Sequence, residues 1–316
     1  MYFFPYFAHY TIKLIKSSLL DIYQILDYSF HIPTKNTTFE RFLMSFMENQ
    51  IQQIDLDSII KEKNPKLYSK LPKFAINWLK NLIHQDDIND VIRRNGHLYG
   101  VDFAQALIEE FNISIEIEGE ENLPEASHLC TFASNHPLGG LDGVALAAVL
   151  GSRYPTIKII VNDLLMNLVN LRPIFVPINK HGSQEKGSVS AVNEAYMSDA
   201  QMVVFPAGLV SRKRGGEIVD AHWRKNFITK TIQFERDVIP IRFIANNSNF
   251  FYRLATFRKL IGLPNLEMAL LPKELFKQKN SSFTIKIGKS IPWQTFDKSA
   301  GQSEWAEYVK NTVYEL

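Results

Sequence analysis

Cysteine is almost absent from this 316-residue chain, and Cys130 stands alone. A single thiol excludes an intrachain disulfide framework and points to a reducing compartment. An excess of either charge is missing too. Lysine plus arginine total 35 and aspartate plus glutamate 33, for a formal net charge of +2. That balance does not describe a protein drawn to nucleic acid by charge, and no nucleic-acid partner is expected. No apolar run reaches the roughly 18 to 20 residues of a membrane span. The best window, residues 126–141, is broken by His128, Ser134, Asn135, His136 and Pro137. The opening MYFFPYFAHYTIKLIKSSLL does not read as an export signal, because Lys13 and Lys16 follow its apolar stretch instead of preceding it. Internal repeats, a GxSxG nucleophile elbow and a His/Cys cluster with metal-ligand spacing are all lacking, so neither a serine hydrolase nor a metal site is expected.

With 46% hydrophobic and 22% charged residues, the chain has the make-up of a folded domain with a sizeable core. Its first part has a helical period. Ile12, Ile15, Leu19, Ile22 and Leu26 fall on one stripe, further helices are expected at about 39–60 and 74–83, and another starts near Val101 with Phe103, Leu107 and Phe111 on one face. At Ile113 the period changes to two, in ISIEIEG. Short apolar runs follow at 128–133, 157–161, 174–178, 202–205, 238–243 and 283–287, with helical stretches near 143–150, 188–197 and 224–234. Alternating strands and helices predict an α/β fold, a mostly parallel helix-covered sheet preceded by a helical N-terminal region. The division is expected in RRNGHLY, giving residues 1–95 and 96–316.

The sharpest local feature is TFASNHPLGGLDGVAL, a strand, a glycine-rich turn and a helix start. Ligands in α/β sheets bind just beyond the carboxyl ends of strands. His136 and Asp142 flank the turn, and Gly139 with Gly140 lets it fold back. An aspartate on one ring nitrogen would fix the tautomer and leave the other nitrogen to take a proton from a substrate hydroxyl. Backbone N–H groups near Gly139 and Gly140, or the start of the helix, would steady an oxyanion. The same residues also fit a proline turn with an aspartate capping a helix, with no chemistry at all.

SNHPLGGLDG, RPIFVPINKHG, VVFPAGLVSRKRGG and VIPIRF, in this order, resemble the four motif blocks of the glycerolipid and lysophospholipid acyltransferase superfamily. The likeness is greatest to the branch that carries the haemolysin label and includes lyso-ornithine and lyso-glycine lipid O-acyltransferases. It extends from about Asp87 to the C-terminus through DINDVIRRNG, ENLPEA and NNSNFFYRL.

The resemblance implies catalysis by His136 and Asp142, without a bound cofactor or metal. It implies an acyl donor that is acyl-CoA or acyl-carrier protein, and a lyso-lipid acceptor. Asn135, Gly139, Gly140, Lys180, Gly208, Ser211, Arg212 and Arg214 are the implied substrate-binding positions. The chain departs from the family in three places. Five residues separate His136 from Asp142 instead of four. Ala207 replaces the glutamate of FPEG and Val210 the arginine of its TRS triplet. The second block has Pro177, Ile178, Asn179 and Lys180 where an arginine is usual. These changes favour a lyso amino-acid lipid over the lysophosphatidic acid or glycerol-phosphate alternative. A thioesterase or lipase and a non-catalytic lipid-binding protein are the other readings.

The run Arg212, Lys213 and Arg214 reads as an anion clamp or as a solvated loop, and His222 and Trp223 read as packing. A lipid acceptor implies a cytoplasmic protein held peripherally at the inner face of the cytoplasmic membrane. Two stretches could dock there. One is the helical face of Phe250, Leu254, Phe257 and Ile261, with Arg253, Arg258 and Lys259 beside it. The other is the aromatic run Tyr2, Phe3, Phe4, Tyr6 and Phe7. Packing of both inside the protein is the alternative.

Overall fold

The computed structural model describes residues 53–63, 65–178, 185–262 and 265–316. The expected helix on Ile12 to Leu26, the aromatic run at Tyr2 to Phe7 and most of the segment 39–60 lie outside these residues, as does Lys180. The helices are α1 (Leu56–Lys63), α2 (Pro65–Tyr68), α3 (Lys73–Leu82), α4 (Gln85–Asn95), α5 (Gly100–Glu110), α6 (Gly140–Gly151), α7 (Glu185–Met197), α8 (Asn226–Gln233), α9 (Asn249–Leu260), α10 (Leu271–Phe276) and α11 (Gln302–Glu315). The strands are β1 (Ser114–Glu118), β2 (Cys130–Ser134), β3 (Ile157–Asn162), β4 (Phe175–Ile178), β5 (Gln201–Val204), β6 (Arg212–Arg214), β7 (Glu217–Val219), β8 (Asp237–Ile244) and β9 (Ser282–Ile287). Two compact units emerge. Among the described residues, those up to Arg94 group with Asn249–Lys273, and Asn95–Ser248 groups with Glu274–Leu316. A division of the sequence at one point does not reveal the excursion Asn249–Lys273, because it lies more than 150 residues beyond Arg94 in the chain.

In the smaller unit, Leu56, Ile60 and Leu79 form a buried cluster with Tyr68, Leu71, Leu82 and Ile83 packed on it. The Gln85 and Asn89 side chains accept from the backbone N–H groups of Leu56 and Ile54, so α4 satisfies donors at the start of α1 that no helical carbonyl can reach.

The larger unit is built on one seven-stranded sheet of order β1-β9-β8-β2-β5-β3-β4. Every neighbouring pair is parallel except β8 with β9. All seven strands coincide with the apolar runs of the sequence. β2 and β5 lie in the middle and are buried throughout, as CTFAS and QMVV, whereas β1 at the edge alternates between exposed and half-buried residues. That contrast is the expected one between a central parallel strand covered on both faces and an edge strand. α6 packs against α5 so closely that a Cβ on Gly151 would lie 2.4 Å from Val101 Cγ1. Only glycine allows that approach. Arg236, buried at the end of α8's turn, donates to the carbonyls of Tyr196, Ser198 and Ala200. It thereby satisfies acceptors left open where α7 ends.

A buried carboxylate fixes the loop after β8. Glu274 accepts from Ser248 N–H and Oγ–H and from Lys277 Nζ. Burial works to raise this carboxyl, but the bonds from Lys277 and Ser248 outweigh it and leave the group below its ordinary value. The neighbouring Asn247 donates 2.9 Å to the carbonyl of Pro137, inside the glycine-rich turn. A depressed folded-state value means stability that is present above the ordinary carboxylate range and is lost as pH falls through the folded value. Glu274→Gln should therefore cost about 1–3 kcal/mol at neutral pH, and the gap from wild type should close below about pH 4. Urea unfolding of both proteins across that range checks it, and a gap independent of pH would contradict it.

Candidate active site

β2 runs between β8 and β5, parallel to both, and delivers Asn135 and His136 to the carboxyl edge of the sheet. The Asn135 amide bonds the backbone of Phe243 in both directions, accepting from its N–H at 2.6 Å and donating to its carbonyl at 2.9 Å. Asn135 therefore locks the end of β2 to β8. After His136 the chain turns through Gly139, whose φ of 89° and ψ of −129° suit only glycine. Helix α6 starts at the next residue and carries Asp142 in its first turn.

Asp142 has no exposure, and its carboxylate is 2.9 Å from His136 Nδ1. The approach is close but off the line of a straight hydrogen bond. Asp142 also accepts from the N–H groups of Leu138 and Gly139. Burial raises this carboxyl above its ordinary value, and the contacts with His136, Leu138 and Gly139 pull the other way. The five-residue spacing is thus used in full, since the two extra donors come from the turn itself. The His136 side chain keeps 19% exposure, none of it at Nδ1. Phe205, just after β5, stacks on the imidazole with centroids 4.3 Å apart.

The third motif block wraps the same histidine. Ser211 N–H donates 2.8 Å to the His136 carbonyl, while Asp220 accepts from His136 N–H at 3.2 Å and from Ser211 Oγ–H at 2.5 Å. Trp223 Nε1–H donates to the other Asp220 oxygen at 2.9 Å. In the sequence Trp223 has the signature of packing, and the only signal of Asp220 is an acid three residues before a tryptophan. Trp223 is indeed fully buried. His222 is exposed and pairs with Glu307.

The other implied positions fall in different settings. Gly140 is exposed, with open space where a Cβ would be. Gly139 has its N–H committed to Asp142, so it is not available to an oxyanion. Gly208 has a φ of 62° and lies beside the Arg224 guanidinium. Ser211 is buried and bonded to Asp220. Arg212 folds back onto the carbonyls of Val210 and Ser211. Arg214 is exposed at the tip of a hairpin formed by β6 and β7, where Gly215 and Gly216 both have positive φ. The basic run is thus one strand of a hairpin with a two-residue turn, not an open loop. Ala207 and Val210 are buried, Ala207 within the core cluster of Trp223, Phe227 and Val238. Cys130 is sealed in β2, where burial pushes its thiol up to about 12, so it has no thiolate to act as a nucleophile. A cavity of about 490 Å³ between α5, β1 and α6 involves Ala148 and Val149. Those residues are about 12 Å or more along α6 from its start, so the cavity is separate from the dyad. Among the described residues no group of acidic, histidine or cysteine side chains could hold a metal, and no helix is long and apolar enough to cross a membrane.

A family model described as Acyltransferase matches residues 58–316. The chain belongs to the acyltransferase family. A lyso-glycine lipid O-acyltransferase of Bacteroides thetaiotaomicron is 50% identical over 83% of this chain and 97% of that protein. Another of the same name, from Phocaeicola vulgatus, is 45% identical over 88% of this chain and the whole of its own. The crystal structure of the 1-acyl-sn-glycerophosphate (LPA) acyltransferase PlsC from Thermotoga maritima aligns with 96% of this acyltransferase and 94% of PlsC, at 14% identity and a TM-score of 0.42.

The smaller unit of the acyltransferase displays apolar surface. Phe250, Phe257 and Leu260 are 61%, 59% and 79% exposed on α9, and Ile261 follows. Arg253 and Lys259 are exposed on the same helix. Arg258 differs from them, being paired in two bonds with the buried Glu267. On α3, Phe74 and Trp78 are exposed one helical turn apart.

Proposed function

We propose that this acyltransferase moves a fatty acyl group from the thioester of coenzyme A or acyl-carrier protein to the hydroxyl of a lyso amino-acid lipid, a lyso-glycine lipid foremost. The observation that carries the chemistry is the contact of His136 Nδ1 with a fully buried Asp142 at the carboxyl end of β2. The names of the two curated relatives support the acceptor class.

Asp142 holds the proton on Nδ1, so Nε2 takes the proton of the acceptor hydroxyl. The hydroxyl oxygen attacks the thioester carbonyl. As the tetrahedral intermediate collapses the C–S bond breaks, and the thiolate leaves with the proton returned by His136. Gly140 N–H stands at the start of α6 and is the donor assigned to the oxyanion. Arg214 and Arg224, both exposed, supply cationic charge for a phosphate or carboxylate of the substrates.

His136→Ala should lower turnover by at least about a hundredfold, and Asp142→Asn should be severely impaired, with both proteins folded by circular dichroism. A folded His136→Ala enzyme with near wild-type turnover would refute the base. In competition, lyso-glycine lipid should be acylated ahead of lysophosphatidic acid. The reverse preference would return the acceptor to the phosphoglycerol class, and acyl release without acceptor would mark a thioesterase.

The acceptor's chains stay in a bilayer, so the enzyme docks peripherally, at the inner face of the cytoplasmic membrane in this reading. The apolar face of α9 enters the interface and Arg253 with Lys259 meets anionic headgroups, each cation contributing about 1 kcal/mol. Binding to anionic liposomes should weaken with salt, and Arg253→Glu with Lys259→Glu should reduce it without loss of fold. Arg258 is left intact, because its charge is committed to Glu267. Absence of wild-type binding to any vesicle would sink the idea.

A further inference from the structure

Four carboxylates are buried among the described residues: Asp142, Asp220, Glu267 and Glu274. Three face a cationic or protonatable partner, in His136, Arg258 and Lys277. Asp220 has no ion-pair partner among the described residues and rests on hydrogen-bond donors alone. A buried charge held in this way is costly unless its donors are well placed. Its donors are specific ones. Oδ1 takes the His136 N–H and the Ser211 hydroxyl, and Oδ2 takes the Trp223 indole. Ser211 N–H closes the ring by donating to the carbonyl of His136. The main chain of His136 is therefore gripped on both sides. Asp220 is fixed in turn at its own N–H, which donates 2.8 Å to Tyr314 Oη on α11. Arg242 lies 5.5 Å over the Tyr314 ring.

We propose that Asp220 is the positioning residue for His136: with Ser211 it sets the backbone from which the imidazole projects, and so fixes where Nε2 meets the acceptor hydroxyl. This rests on His136 being the base. Asp220 touches no reacting atom, and its effect passes through the histidine. Displacement of a reacting group by about 1 Å costs on the order of a hundredfold in rate, without weakening substrate binding in proportion.

Asp220→Asn keeps the side-chain shape but turns one acceptor into a donor, so at least one of the three bonds is lost. It should lower kcat by about 10- to 100-fold and leave KM for the lyso-lipid within about threefold. Trp223→Phe, which removes only the indole donor, should show a smaller loss in kcat of the same kind, and it carries the test if Asp220→Asn does not fold. The deciding measurement is the double variant. In a His136→Ala background Asp220→Asn has nothing left to position, so the residual rate should stay within about twofold. An equal further loss in that background would mean a merely structural role. A raised KM with unchanged kcat would mean direct contact with substrate. Either outcome overturns the proposal, as does wild-type kcat in Asp220→Asn. If His136→Ala itself is active while Asp220→Asn is not, the base has been misassigned, which is a separate failure.

Discussion

Asp142 holds its carboxylate wholly out of water, and a charge so placed must be met by donors on every side. The surrounding chain is shaped by that requirement. The turn after β2 bends through Gly139 so that two successive N–H groups reach the carboxylate, and His136 Nδ1 occupies a third approach. Helix α6 begins where it does because Asp142 in its first turn accepts from the residue that caps it. The same bonds that stabilise the helix start thus hold the carboxylate beside His136 Nδ1. Loss of the carboxylate would disturb both at once, so a helix cap and a contact to the histidine are not competing descriptions of this residue.

The sheet was legible in the sequence because its strands are short apolar runs bounded by turn residues. CTFAS and QMVV are buried throughout and fall on short apolar runs, and ISIEIE reads as a half-exposed strand. The dyad was legible because histidine, glycine and aspartate stand within one turn of each other. What escaped notice depends on long-range partners. The hairpin of β6 and β7 has strands of only three residues, RKR and EIV, too short for periodicity to mark them. Only Gly215 and Gly216 give it away. Asp220 draws its meaning from His136, 84 residues earlier. The grouping of Asn249–Lys273 with residues before Asn95 likewise has no local signature.

The substitutions at positions 207 and 210 take on a different sense in three dimensions. Both side chains face the interior, Ala207 in contact with the core around Trp223. A polar contact to substrate has not simply been deleted there. The space is filled by apolar packing. Returning a glutamate to position 207 would place a second carboxylate in that core, at a cost of several kcal/mol unless it found donors.

The strand order also governs when the molecule can be completed. Of the described strands β1 is the first to leave the ribosome, and it pairs with β9, the last of them. The junction is reinforced by a bond from Asn112 to Asn280, 168 residues further on. Contacts of such span close late, since the loop entropy must be paid before they form. Throughout synthesis the inner edge of β1, with Ile115 and Ile117 beside it, waits for a partner that does not yet exist. The half-made chain therefore passes through a stage with an open strand edge, and a chaperone that shields such edges would act between the emergence of β1 and the release of β9.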